Sequence, residues 1–191
     1  MSNADGIILG LDPGLRVTGY GLLEVSAKKP CVREAGVIRA TATGRRLDLA
    51  DRLRVLYDSL TELIEQFRPQ TLAIEQLYAH YKHPRTAILM GHARGVLLLA
   101  GARLGVTIVS FSATTIKKTI TGSGRAPKIQ VQRAVQRELG LAQLPEPPDV
   151  ADALAAALCQ YYVRERRIDR DSPRRKIGWP SSEVFPEAQD D

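Results

Sequence analysis

The stretch IILGLDPGLRVTGYG, residues 7–21, runs apolar residues into Asp12, turns at Pro13-Gly14 and resumes as a second extended segment containing Gly19 and Gly21. A short buried strand, a Pro-Gly turn and a return strand whose glycines limit side-chain bulk together describe a hairpin. The carboxylate at the end of the first strand is the unusual element. Aspartate before Pro-Gly is commonly a turn former, so Asp12 acquires meaning only from what the rest of the chain places beside it.

After the hairpin, residues 32–40 read as a third strand. Residues 45–67 carry Leu47, Leu49, Leu53, Leu56, Leu60 and Ile64 near helical spacing and stop before Pro69. TLAIE, residues 71–75, is a short apolar strand that again ends in a carboxylate, Glu75. The polar loop QLYAHYKHP leads to a helix over 85–104, a strand VTIVS over 106–110, and helices over 113–120, 128–139 and 148–163. Three strands, helix, strand, helix, strand and then helices is an α/β order, with antiparallel pairing first and parallel crossovers later. From residue 164 the text becomes RERRIDRDSPRRKIGWPSSEVFPEAQDD, charged and rich in serine and proline. The expected organisation is therefore one domain over 1–163 and a disordered charged tail over 164–191.

Composition narrows the class. Of 191 residues, 44% are apolar and 25% charged, and no run approaches the ~18 apolar residues of a membrane span. The N-terminus lacks the layout of a secretory signal, so a cytoplasmic location without a membrane partner is expected. Cys31 and Cys159 have no metal-ligand spacing and are expected to be reduced. Lysine and arginine number 27 against 21 acidic residues, a formal charge of +6 that suits a polyanion such as nucleic acid or simply a soluble basic surface.

A third acidic element is PPDVADALAAALC, residues 147–159, where Asp149 and Asp152 stand three apart at a helix start and share a face. Capping explains Asp149. Asp152 is followed by an unbroken apolar run, which implies a helix buried around most of its circumference, and a carboxylate there needs a compensating partner. Four carboxylates on two strand ends and one helix start, in a basic protein, describe a divalent-metal site. Oxygen ligands suit Mg²⁺ or Mn²⁺, and clustered His or Cys for zinc is lacking. Two such ions about 3.5–4 Å apart would serve phosphodiester hydrolysis.

DPGLRVTGYG at 12–21, AIEQLY at 73–78, GHARGV at 91–96, IKKTITGSGRAPKIQVQ at 116–132 and DVADALAAAL at 149–158, in this order, resemble the RuvC Holliday-junction resolvases. The resemblance implies a ribonuclease H-like fold with a mixed five-stranded sheet flanked by helices. It further implies a homodimer, partnership with the branch-migration proteins RuvA and RuvB, and magnesium-dependent paired nicking of four-way DNA junctions that leaves 5′-phosphate and 3′-hydroxyl ends. Asp12, Glu75, Asp149 and Asp152 match the family's acidic catalytic positions, with two Mg²⁺ ions per site and Mn²⁺ as a substitute. Lys117 and Lys128 match lysines near the cleft, Lys128 within the catalytic set. Lys118 and Arg125 match positions that meet phosphates. Tyr78 matches an aromatic that stacks on an unpaired base. His80, Tyr81, Lys82 and His83 receive no role.

Ala87, Gly91 and Gly95 recur every four residues and form a ridge that permits close backbone approach. Spacing alone does not choose between the chain's own sheet and another surface; the resemblance assigns the ridge to the dimer interface. Other readings stay open at this point: a related nuclease acting on RNA or other branched DNA, and a junction-binding module without activity. An actin-like phosphate loop is a further resemblance of DPG, but those enzymes need two such domains.

Overall fold

Period-two alternation along the first strand decides which face of the sheet each side chain serves. The structure, a computed structural model, describes residues 6–26, 29–41, 47–77 and 84–171, with residue 84 and residues 166–171 as backbone. Its elements are β1 (Gly6–Asp12), β2 (Val17–Val25), β3 (Cys31–Arg39), α1 (Leu49–Phe67), β4 (Thr71–Glu75), α2 (Pro84–Arg103), β5 (Thr107–Phe111), α3 (Ala113–Thr121), α4 (Lys128–Leu139) and α5 (Pro148–Asp171). The strands form one mixed sheet in the order β3-β2-β1-β4-β5. Pairing is antiparallel between β1 and β2 and between β2 and β3, and parallel between β1 and β4 and between β4 and β5. The expected five strands and the switch from hairpin pairing to parallel crossovers are both present.

Two apolar layers cover the sheet. Leu9, Leu11, Leu22, Leu72 and Ile74 face a layer that includes Leu56, Leu60 and Ile64 of α1 and Ala93, Leu97 and Ala100 of α2. Ile8, Leu23, Val25 and Ala73 face the other layer, supplied by α3, α4 and above all α5. Alternation then settles two further positions. Asp12 follows Ile8 and Gly10 on the α5 side, and Glu75 follows Ala73 on that same side. α5 justifies its composition, since Val150, Ala151 and every residue from Ala153 to Cys159 are buried.

Element ends depart from the sequence expectation in two places. α1 begins at Leu49 because the Asp48 side chain caps it, accepting a hydrogen bond from the Asp51 amide at 2.8 Å; residues 42–46 lie outside the described residues. α5 continues to Asp171 instead of stopping at residue 163. The change from apolar to charged text marks where the helix leaves the core, not where it ends: Arg and Glu are good helix formers, and the next proline comes only at Pro173. Residues 172–191, most of the expected tail, lie outside the described residues. Cys31 is exposed, Cys159 is buried, and they form no disulfide. Among the described residues, no helix is long and apolar enough to cross a membrane.

Candidate active site

The hairpin that opens the fold also fixes its first carboxylate. Asp12 is the last residue of β1 and pairs with Gly19 of β2. The turn between them is braced by Thr18, fully buried, whose hydroxyl donates to the Gly14 carbonyl at 2.7 Å and accepts from the Gly14 amide at 3.2 Å. Glycine under the helix brings the other acids in. A Cβ on Gly10 would lie 2.0 Å from the Ala153 carbonyl oxygen, and one on Gly19 would lie 2.0 Å from that of Asp149. Only bare backbone at these positions lets the first turns of α5 settle on β1 and β2. The contact at Gly19, the cross-strand partner of Asp12, draws Asp149 and Asp152 toward Asp12.

Electrostatics record this convergence. Asp12 is pushed up to about 7, first by burial and then by the negative charges of Asp152, Glu75 and Asp149, with Lys128 opposing. Glu75 is raised by burial and by Asp152, against the pull of Lys117 and Lys128. The Lys128 ammonium, on the first residue of α4, stands 3.2 Å from Asp152 Oδ2. Its proton is held more tightly chiefly because of that carboxylate, with smaller contributions from Asp12 and Asp149. Among the described residues, no three Asp, Glu, His or Cys side chains are gathered as a finished metal cage. The backbone nevertheless brings four carboxylates close enough that the charges of the others raise the proton affinity of Asp12, and that of Asp152 raises Glu75, a charge excess that a cation relieves. An all-oxygen donor set fits a hard divalent ion.

The remaining expected site residues divide. Lys117, on α3, acts on Glu75 through its charge. Lys118 on α3 and Arg125 in the α3–α4 loop are exposed, and neither is among the charges that shift Asp12 or Glu75. Tyr78, and with it His80, Tyr81, Lys82 and His83, lies outside the described residues. On α2, a Cβ at Gly91 or at Gly95 would meet nothing within 4 Å among the described residues. Among those residues, the two glycines of the ridge therefore do not pack on the chain's own sheet. Two residues near the site escaped sequence reasoning: Thr18, which braces the Asp12 turn, and Arg94, which donates to the Glu75 carbonyl oxygen. Nothing in the sequence marked Arg94, whose partner is a backbone carbonyl.

Comparison with known proteins fits this geometry. Residues 8–160 match the family model described as crossover junction endodeoxyribonuclease RuvC. A protein of that name from Rhodopirellula baltica is 49% identical over 164 residues, covering 85% of this chain and 90% of the relative. The Thermus thermophilus RuvC structure superposes with a TM-score of 0.74 at 29% identity, over 84% of this chain and 96% of that one. T. thermophilus RuvC in complex with a Holliday junction substrate gives 0.72 at 26% identity, over 83% and 96% of the two chains. The fold is ribonuclease H-like, the acids converge at one end of its sheet, and the likeness spans the whole described sheet and the start of α5; the chain belongs to the RuvC family of crossover junction endodeoxyribonucleases.

Proposed function

We propose that this chain resolves Holliday junctions during DNA recombination and repair, acting as a homodimer that nicks two strands of like polarity at symmetric positions. The observation that carries this reading is the convergence of Asp12, Glu75, Asp149 and Asp152 on the α5 face of a RuvC fold. A four-way junction has two-fold symmetry, and a two-fold dimer with one site per subunit matches it. The ridge of Ala87, Gly91 and Gly95, bare on α2, offers the surface on which two copies would close.

Asp12, Glu75, Asp149 and Asp152 would hold Mg²⁺, two ions per site with Mn²⁺ able to substitute, and the ions would supply Lewis acidity and an activated water for hydrolysis to 5′-phosphate and 3′-hydroxyl ends. The chain's own groups orient the scissile strand. Lys128, already at Asp152, is placed to move its ammonium onto a phosphate oxygen and stabilise the charge that develops there. Lys117 holds a neighbouring phosphate, Lys118 and Arg125 meet the junction arms, and Tyr78 stacks on an unpaired base. The domain up to the end of the core carries the chemistry, the tail lies outside it, and RuvA and RuvB are the expected partners in the cytoplasm.

The deciding experiment incubates the protein with a synthetic four-way junction, a linear duplex and an RNA-DNA hybrid, with and without Mg²⁺ or Mn²⁺. Paired, metal-dependent nicks confined to the junction are the expected result. Equal cleavage of the duplex or hybrid would make the chain a different nuclease of this fold, and binding without cleavage under every metal would make it a junction-binding module.

A further inference from the structure

Glu75 ends β4, and the peptide that follows it is clamped from both sides. On one side the Gln76 amide donates to the Phe111 carbonyl of β5 at 2.9 Å. The β1–β4 register ends one residue earlier, at Leu11 with Ile74, so the Glu75 carbonyl lies past the last paired residues of β1 and β4. Arg94 of α2 takes that carbonyl: its Nε donates to Glu75 O at 3.1 Å, while Nη2 donates to Ser110 Oγ of β5 at 2.8 Å. One guanidinium thus ties α2 to the ends of both parallel strands. Burial works against the charge of this half-buried side chain, so the two hydrogen bonds compensate a real desolvation cost. With both its N–H and its C=O held, the 75–76 peptide has no freedom to rotate, and the Cα–Cβ direction of Glu75 is fixed with it.

We infer that Arg94 is a positioning residue for Glu75, holding that carboxylate on the α5 face through the backbone instead of through its side chain. The inference rests on the reading of Glu75 as one of the four acids that hold the metal. Planar geometry matters: an arginine fork reaches a carbonyl and a hydroxyl at once, whereas a lysine ammonium on a flexible stem reaches one of them with less directional control. Supports of this kind typically change metal affinity or activity by about 10- to 100-fold when removed.

The test uses the full chain with Arg94→Gln, Arg94→Lys, Ser110→Ala and Glu75→Gln. It measures Mn²⁺ binding by calorimetry, junction affinity by gel shift, single-turnover cleavage and melting temperature. Arg94→Gln is expected to weaken Mn²⁺ binding and slow cleavage, each about 10- to 100-fold, with junction affinity nearly unchanged. Arg94→Lys is expected to recover part of both losses, and Ser110→Ala to show a smaller loss of the same kind. Adding Arg94→Gln to Glu75→Gln should weaken Mn²⁺ binding no further, because the carboxylate it positions is already gone. Wild-type Mn²⁺ binding in Arg94→Gln, or a full additional loss on the Glu75→Gln background, overturns the inference. If Arg94→Gln fails to fold, Arg94→Lys decides: wild-type metal binding and rate overturn it, and a partial loss with an unshifted melting temperature supports it. A Glu75→Gln protein that binds Mn²⁺ and cleaves like wild type instead sinks the reading of Glu75 itself.

Discussion

Glycine does opposite work in two regions of this molecule. Under α5, Gly10 and Gly19 are crowded so closely that a Cβ would stand 2.0 Å from helix carbonyl oxygens. Along α2, Gly91 and Gly95 face open space, while Ile88 and Leu99 on the same helix are 61% and 52% exposed. The first pair lets a helix and a sheet meet within one chain and so assembles the acids; the second leaves an apolar, low-relief surface that no described residue covers. A monomer rarely leaves such a face bare without a partner for it. The same residue type thus marks a finished contact in one place and an offered one in the other.

Asp12→Asn strikes the crowded side hardest. It removes a proposed metal ligand without adding bulk, so cleavage is expected to fall by several orders of magnitude while junction binding is kept or tightened by the loss of a negative charge near phosphate. Gel shift and single-turnover cleavage separate the two. Parallel loss of binding and cleavage would make Asp12 a residue of the fold. The same variant reports on charge. In chelator-treated wild-type protein the Asp12 carboxyl titrates at about 7 when folded, against 3.8 for a free aspartate. Between those values the folded state binds more protons than the unfolded one, so this group's contribution to stability is full below pH ~4 and lost as pH rises through ~7. Asn at this position does not titrate. The stability of Asp12→Asn relative to wild type should therefore climb from about pH 4 to about pH 7 and then level, by on the order of a few kcal/mol, read from thermal melts across pH; a flat difference would place Asp12 in water.

Gly19→Ala tests the contact itself. Its methyl group would collide with the Asp149 carbonyl, an overpacking that typically costs about 1–3 kcal/mol and here pushes the start of α5 off the sheet. Cleavage is expected to fall with stability, and the two losses should move together in thermal melts and nicking assays. A stable, active Gly19→Ala protein would refute the account of how Asp149 and Asp152 reach Asp12. Lys128→Ala disturbs the rim of that site without touching its packing. Single-turnover cleavage is expected to slow roughly 10²-fold while affinity changes little, and an unchanged rate at saturating protein would remove Lys128 from the catalytic set.

On α2 the expectation reverses. Gly91→Ala in an isolated chain gains helix propensity of about 1 kcal/mol because no described residue stands where its methyl group would go. Gly91→Leu is expected to stay folded by circular dichroism, become monomeric by light scattering, and nick a cruciform plasmid without linearising it in one binding event. A dimeric Gly91→Leu protein that still cuts both strands together would free this face from the interface and leave the metal site standing.

Much of this was legible in the sequence because it is local. Short apolar runs ending in a carboxylate put Asp12 and Glu75 on strand ends, and the unbroken apolar run after Asp152 announced a helix buried around most of its circumference. The glycines of β2 signalled a limit on bulk, but which helix fills the space depends on the meeting of Gly19 with Asp149, far apart in the chain, which periodicity does not encode. Arg94 was illegible for a related reason: its partner is a backbone carbonyl, which has no sequence signature. The end of α5 was misplaced because burial and helicity stop at different residues, the first set by the core and the second by helix propensity.

The smallest expected effect belongs to residues 172–191, whose removal leaves both regions of the comparison intact. Residues 172–191 carry three basic residues, Arg174, Arg175 and Lys176, and four acidic ones, so their removal does not lower the net positive charge that draws the protein to DNA. Cutting after Asp171 keeps all of α5, and folding, dimerisation and cleavage are expected to be unchanged. Salt dependence gives the sensitive readout. If the three cations lay on phosphates, deleting them would flatten the slope of log affinity against log salt by about 0.7 to 0.9 for each phosphate no longer neutralised. An unchanged slope is expected, because the neighbouring acids repel the same phosphates. A slope flattened by about 2 to 3 would put this segment on a junction arm, and a lower melting temperature would show Trp179 or Phe185 packed on the core.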